Sequence, residues 1–103
     1  ELMRVVAKPE VDIKVIQYIC DTFVRKININ LQNNDGRTAF MLAARYNTNY
    51  QVIHYLYRTF EKKLHISKQD NDGRTALMLA ARFNPNDQVI QYACDKLNNI
   101  GRH

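Results

Sequence analysis

Asn71-Asp-Gly-Arg-Thr-Ala-Leu-Met-Leu-Ala-Ala-Arg82 has a near copy, Asn34-Asp-Gly-Arg-Thr-Ala-Phe-Met-Leu-Ala-Ala-Arg45, lying 37 residues upstream of it. Self-similarity at a fixed period marks an array of small structural units rather than one irregular core. In each copy Asn-Asp-Gly is a turn sequence, because Asn and Asp tolerate positive φ and Gly adopts it without steric cost. The Thr that follows stands immediately before an apolar run, where its hydroxyl can cap a helix. Each block therefore predicts a tight turn feeding a short helix.

The period extends beyond the motif. Val15-Ile16-Gln17-Tyr18, Val52-Ile53-His54-Tyr55 and Val89-Ile90-Gln91-Tyr92 superpose without gaps, so the chain holds three units, at about 1–32, 33–69 and 70–103. The expected layout is a first helix (about 2–8, 38–46, 75–83), a polar break, a longer second helix (about 12–25, 49–62, 86–97) and an extended polar stretch leading to the next turn. Ala39, Phe40, Leu42, Ala43 and Ala44 give the first helix a face of mostly small residues that lets a neighbour approach closely. Val52, Ile53, Leu56 and Phe60 recur at helical spacing and form the apolar stripe of the second.

Gly73-Arg-Thr-Ala-Leu-Met-Leu-Ala-Ala81 and its twin at 36–44 resemble the Gly-x-Thr-Pro-Leu-His-x-Ala-Ala signature of ankyrin repeats, and the resemblance covers the whole chain. It implies an all-α repeat solenoid of stacked helix pairs joined by β-hairpin-like turns. Ala39 and Ala76 stand where the family has proline, a position at which alanine serves equally as a helix former. Met41 and Met78 replace its histidine, which removes a hydrogen-bonding layer and leaves packing to hold that level. The period exceeds the family's usual length of about 33 residues. Three of the extra residues fall between the helix-two valine and the next turn, so either the second helix continues through Glu61-Lys62-Lys63 or the loop after it is longer. Residue 1 falls inside a first helix and the chain stops before a further hairpin, as expected of a fragment of a longer array.

The chain has 46% hydrophobic and 24% charged residues and a net charge of +5, a globular balance with its basic residues dispersed. It contains no apolar run approaching a membrane span and opens with no secretion signal. Cys20 and Cys94 occupy the same place two units apart; stacked helices roughly 8–10 Å apart per unit hold them beyond disulfide reach. Both are expected to be buried thiols of a reducing, intracellular compartment, the cytoplasm first. Asp70-Asn71-Asp72-Gly73 resembles the start of a calcium loop, but Lys68 holds the first ligand position and Leu79 the last, so no calcium site is expected. His54, His65 and His103 lack the partner histidines or Cys-x-x-Cys pairs of a zinc site, and no phosphate-binding glycine loop or nucleophilic triad is present. No catalytic residue, cofactor or metal is expected. Tyr18, Tyr55 and Tyr92 form a column in the second helices, an expected packing ladder with hydroxyls at solvent, and His54 takes a place that Gln17 and Gln91 fill elsewhere.

The resemblance implies a protein-binding module with no enzymatic activity, using the concave face of hairpin tips and first helices. The positions it assigns to partner contact are Gln32, Asn34, Asp35, Arg37, Arg45 and Tyr46 in the second unit, and Gln69, Asn71, Asp72, Arg74, Arg82 and Phe83 in the third. Lys8 and Pro9 are the ones left in the first. Two arginines and an aromatic per unit point to an acidic segment of a partner, although Arg45 and Arg82 also complement the helix dipole. Binding of nucleic acid or an anionic surface through the net charge is one alternative. A regulatory or spacer arm of a larger enzyme is the other.

Overall fold

The computed structural model describes residues 2–8 and 12–95. Pro9 and the predicted helical positions 96 and 97 lie outside them. Six helices follow in order: α1 (Leu2–Val6), α2 (Ile13–Phe23), α3 (Ala39–Tyr46), α4 (Tyr50–Thr59), α5 (Ala76–Phe83) and α6 (Asp87–Ala93). The first helices form one row, α1 against α3 against α5, and the second helices form another behind it, α2 against α4 against α6. Among the described residues there is no strand. This is an all-α repeat solenoid.

Helices α3 and α5 start where the hydroxyls predict. Thr38 and Thr75 hold extended backbone, and their Oγ1 atoms accept from the amides of Met41 and Met78 at 3.2 and 3.4 Å. Between these caps and the array axis, every residue from Ala39 to Ala44 is buried, and in α5 Ala76, Leu79 and Ala80 are. The asymmetry follows from position, since α3 has a first helix on either side and α5 has one on a single side. Among the described residues Met41 is buried, as packing at the histidine-substituted position predicts, whereas Met78 is 50% exposed. In the second row Val52, Ile53, Leu56 and Phe60 are buried as the stripe predicts, with Ile16 and Cys20 of α2 and Val89 and Ala93 of α6. Cys94 departs from the expectation. It is exposed one residue beyond α6, and both thiols are free. Burial and the nearby Asp21 charge push the Cys20 thiol up to about 11, which leaves it an inert apolar group.

The extra residues of the period lie in a loop. Helix α4 stops at Thr59, and the amides of Lys63 and Leu64 both close back onto the carbonyl of Phe60, so Glu61-Lys62-Lys63 form a turn rather than another helical stretch. The loops are tied across units at Asn30, whose side chain donates to the Lys63 carbonyl at 2.8 Å and accepts from the His65 amide at 2.9 Å.

The polar break between paired helices carries a second set of ties. Asn47 and Asn84 cap the C-termini of α3 and α5 and are both buried. The Asn84 amide nitrogen donates to the carbonyls of Ala44 and Asn47 in the preceding unit at 2.8 and 2.7 Å, while its oxygen accepts from the Asn86 amide at 2.9 Å. Asn86 then caps α6, and Asn47 and Asn49 repeat the arrangement one unit earlier. One side chain thus satisfies carbonyls at the end of a helix in the previous unit and shapes the entry to the next helix of its own.

The hairpins obey the same economy. Asn33 Oδ1 accepts from the amides of Asp35 and Arg37, and Asp70 Oδ1 from those of Asp72 and Arg74, all within 2.9–3.0 Å. Gly36 and Gly73 complete the turns at φ +79°. The second hairpin lies directly on the third: the Asn71 amide donates to the Asp35 carbonyl at 3.0 Å and the Asn71 side chain to the Asn34 carbonyl at 2.8 Å. A Cβ on Gly36 would come within 2.7 Å of the Asn71 amide nitrogen, whereas one on Gly73 would meet open space.

Two stability predictions follow from the hairpins. Positive φ alone costs an alanine roughly 1–2 kcal/mol, and Gly36→Ala adds a backbone collision. Gly36→Ala should therefore lose at least about 1 kcal/mol more than Gly73→Ala by urea midpoint, and equal losses would show that the hairpins do not press on each other.

The second prediction concerns Asp70, which is buried with its Oδ2 at 3.3 Å from Arg37 Nε. Burial pushes its carboxyl up, but the amides of Arg74 and Asp72 and the Arg37 guanidinium outweigh it and hold the group below the ordinary carboxylate range. A depressed folded value contributes stability that is complete above the unfolded value of about 3.9 and is lost as pH falls through the folded one. Asp70→Asn keeps the turn-capping oxygen, as Asn33 shows, and loses only the charge. The variant should be less stable than the parent at pH 7, with the gap closing below about pH 4; a pH-independent gap would assign the loss to shape.

Candidate partner-binding face

The twelve predicted contact positions divide in two. Gln32, Asn34, Asp35, Arg37, Gln69 and Asn71 fasten the second hairpin to the third. Gln32 Nε2 donates to the carbonyls of Gly36 and Gln69 at 2.7 and 3.1 Å, and Asn34 and Asp35 offer their carbonyls to Asn71. Arg37 differs most from the outward orientation expected of it. Its side chain is only 11% exposed and is held between the hairpins by Asp70, with Asp35 at 3.9 Å as a looser partner. The cause is that Asp70 is buried, and a buried carboxylate draws in the nearest cation. Asp72 stays on the exposed tip, 3.8 Å from Arg74.

The other group gathers on the ends of α3 and α5. Phe83, half-buried at the last position of α5, has the Arg45 guanidinium over its ring at 3.9 Å, that of Arg74 at 5.3 Å and that of Arg82 at 5.5 Å. Arg45 also lies 4.9 Å from the ring of Tyr46, which is itself exposed. Contact between α3 and α5 brings Arg45 and Tyr46 beside Phe83, and Arg74, just before the Thr75 cap, approaches the same ring from the start of α5. The negative ring face attracts the guanidinium, and stacking a weakly hydrated cation on it holds each side chain in a defined place. Among the described residues Arg74 alone of the three has a carboxylate in reach, and the Arg45 Nε is buried with no hydrogen-bond partner. The arrangement is a cation-rich aromatic patch with donors for an anion.

The second-helix face carries a groove of about 820 Å³ lined by Gln17, Tyr50, His54, Tyr55, Arg58 and Tyr92 among others. The tyrosine column contributes to it, but the hydroxyls do not simply reach solvent. Tyr55 donates to Asp21 at 2.7 Å, and the Tyr92 hydroxyl pairs with His54 Nδ1 at 2.9 Å, each linking one second helix to the one before. His54 is thus half-buried and engaged rather than a free surface group. Burial pushes both phenols up to about 12, joined at Tyr55 by the bond to Asp21, so neither ionises near neutrality to act as a base. Among the described residues Tyr18 makes no such bond, and it is 68% exposed. Among the described residues no three His, Cys, Asp or Glu side chains converge on a metal-sized site, and no helix is long and apolar enough to cross a membrane.

Sequence reasoning passed over the Asn-x-Asn pairs, Asn47/Asn49 and Asn84/Asn86. Their recurrence at the repeat period was the available signal, and it marked buried ties rather than a plain polar break.

Comparison with known proteins accords with this architecture. The chain resembles, at a TM-score of 0.72 and 24% identity, a chain in a structure of a predatory endopeptidase from Bdellovibrio bacteriovorus in complex with an immunity protein. The match covers 91% of this chain and 44% of that one, and at this identity it speaks for the fold alone. No curated protein sequence matches the chain. A family model of ankyrin repeats, in three copies, matches residues 2–102. The chain therefore belongs to the ankyrin-repeat family.

Proposed function

We propose that this chain engages a protein partner on the face formed by the hairpin tips and the ends of the first helices, and that the partner presents an acidic segment. Ankyrin repeats are in general interaction modules, and the coarse reading of this chain as a protein-interaction module rests on that membership. The observation that carries the finer reading is the collection of Arg45, Arg74 and Arg82 around one half-buried ring, with a single exposed carboxylate in reach among the described residues. Like charges held this close are poorly compensated within the chain, and an incoming anion relieves them. Arg and aromatic side chains with restricted rotamers are also the side chains that concentrate binding energy at interfaces. The neighbour of similar fold comes from a complex of an endopeptidase with an immunity protein, which accords with an interaction role without indicating a partner for this chain.

The test is binding of degenerate peptide pools rich in Asp and Glu, against neutral and basic pools, to the parent and to an Arg45→Glu, Arg74→Glu, Arg82→Glu variant. Arg37 is left intact, since its charge supports Asp70. Because these arginines stack on Phe83 and two of them end helices, binding is read only at temperatures well below the melting transition of both the parent and the variant. Acidic pools should bind the parent selectively and lose on the order of tenfold or more in the variant. Retained binding would place the contact elsewhere. Tighter binding to duplex DNA, with affinity falling steeply as salt rises, would favour the nucleic-acid alternative.

A further inference from the structure

Resting on the acidic-segment reading, we infer that the anion this face is built for is a phosphorylated side chain of a protein partner rather than a run of carboxylates. Three features of the Phe83 cluster point there. First, three guanidiniums lie within 5.5 Å of one ring centroid, one of them from the preceding unit. A carboxylate offers two oxygens and one negative charge, enough for one guanidinium fork. A phosphate monoester offers three acceptor oxygens and a charge of about −1.5 to −2 at neutral pH, so it can accept from several forks at once. Second, the cations are all arginine. Their planar donor pairs match phosphate oxygens two at a time, which an ammonium cannot do.

Third, the Arg45 Nε–H is buried without an acceptor while its guanidinium carbon sits 3.9 Å above the Phe83 ring. That nitrogen is closed to an incoming oxygen, and the stacking fixes the plane in which the terminal nitrogens of the Arg45 fork are offered to a ligand. Within the cluster, Asp72 is the competing anion; it is 65% exposed and 3.8 Å from Arg74, a pairing too loose to block a dianion. Arg37, whose Nε lies 3.3 Å from the buried Asp70 carboxylate, is drawn out of this face into the hairpin stack.

Phosphate chemistry reaches a protein from phosphoproteins, free phosphate or lipid headgroups, and the experiment separates them. Degenerate peptide pools carrying phosphoserine, phosphotyrosine, glutamate or serine at a fixed central position are titrated against the full 103-residue chain in about 0.15 M salt. Inorganic phosphate and vesicles containing a phosphoinositide are titrated in parallel. At least one phosphorylated pool should bind about tenfold or more tighter than the glutamate pool, since charge-assisted forks add strength beyond net charge. Inorganic phosphate and vesicles should bind more weakly than that pool. Arg45→Lys and Arg82→Lys, which keep the charge and remove the fork, should erase most of the phosphate preference while sparing glutamate binding. Equal affinity for phosphorylated and glutamate pools overturns this inference and leaves the acidic-segment reading standing. Failure of every acidic pool overturns both. Phosphate or vesicles binding as tightly as the peptides would reassign the face to those ligands.

Discussion

The buried Asn84 side chain, reaching from one unit into the carbonyls that end the first helix of the unit before, is the contact on which the rest of the array depends. The last carbonyls of a helix have no partner inside it, and in a solenoid those ends are covered by the next unit and cut off from water. Hydrophobic stacking alone would bury them unpaired, at a cost of about 1–3 kcal/mol each. Asn84 supplies donors to two of them and simultaneously fixes the polar break that starts its own second helix. Register between units is therefore set by directional bonds, and the alanines of the first helices then decide only how near the units stand. The paired hairpins make the same trade, with Asn71 satisfying carbonyls of the hairpin before it.

Much of this was legible in the residues. The 37-residue copy, the Thr caps, the glycines at positive φ and the apolar stripe from Val52 to Phe60 all describe local geometry, which depends on near neighbours in the chain. What escaped were properties that arise between units. Arg37 looked as free as Arg74, its counterpart in the next unit, because nothing local reveals that a buried carboxylate of the following hairpin will claim it. Cys94 looked equivalent to Cys20, yet one is exposed and the other buried, because the two meet different neighbours. The ambiguity over Glu61-Lys62-Lys63 had a related origin: propensity permits a helix there, while Phe60 at the end of α4 receives the returning amides of Lys63 and Leu64 and turns the chain.

The candidate face shows the same division. Its members could be named from their places in the repeat, but their grouping could not. Phe83 belongs to one unit and Arg45 to another, and the stacking between them is a product of how α3 and α5 pack. That grouping gathers three of the chain's guanidiniums within 5.5 Å of one ring centroid, a local arrangement that the overall charge of +5 does not describe.

The two rows of helices also differ in mechanical character. The first-helix row is a continuous contact of buried alanine and other apolar side chains, close-packed and thus resistant to compression. The second-helix row touches partly through the outer ends of side chains, Tyr55 on Asp21 and Tyr92 on His54, with an open groove beside them. Polar contacts at half-exposed tips exchange readily with water. Bending of the array is therefore easiest where the second helices separate or close, about a stiff spine of first helices.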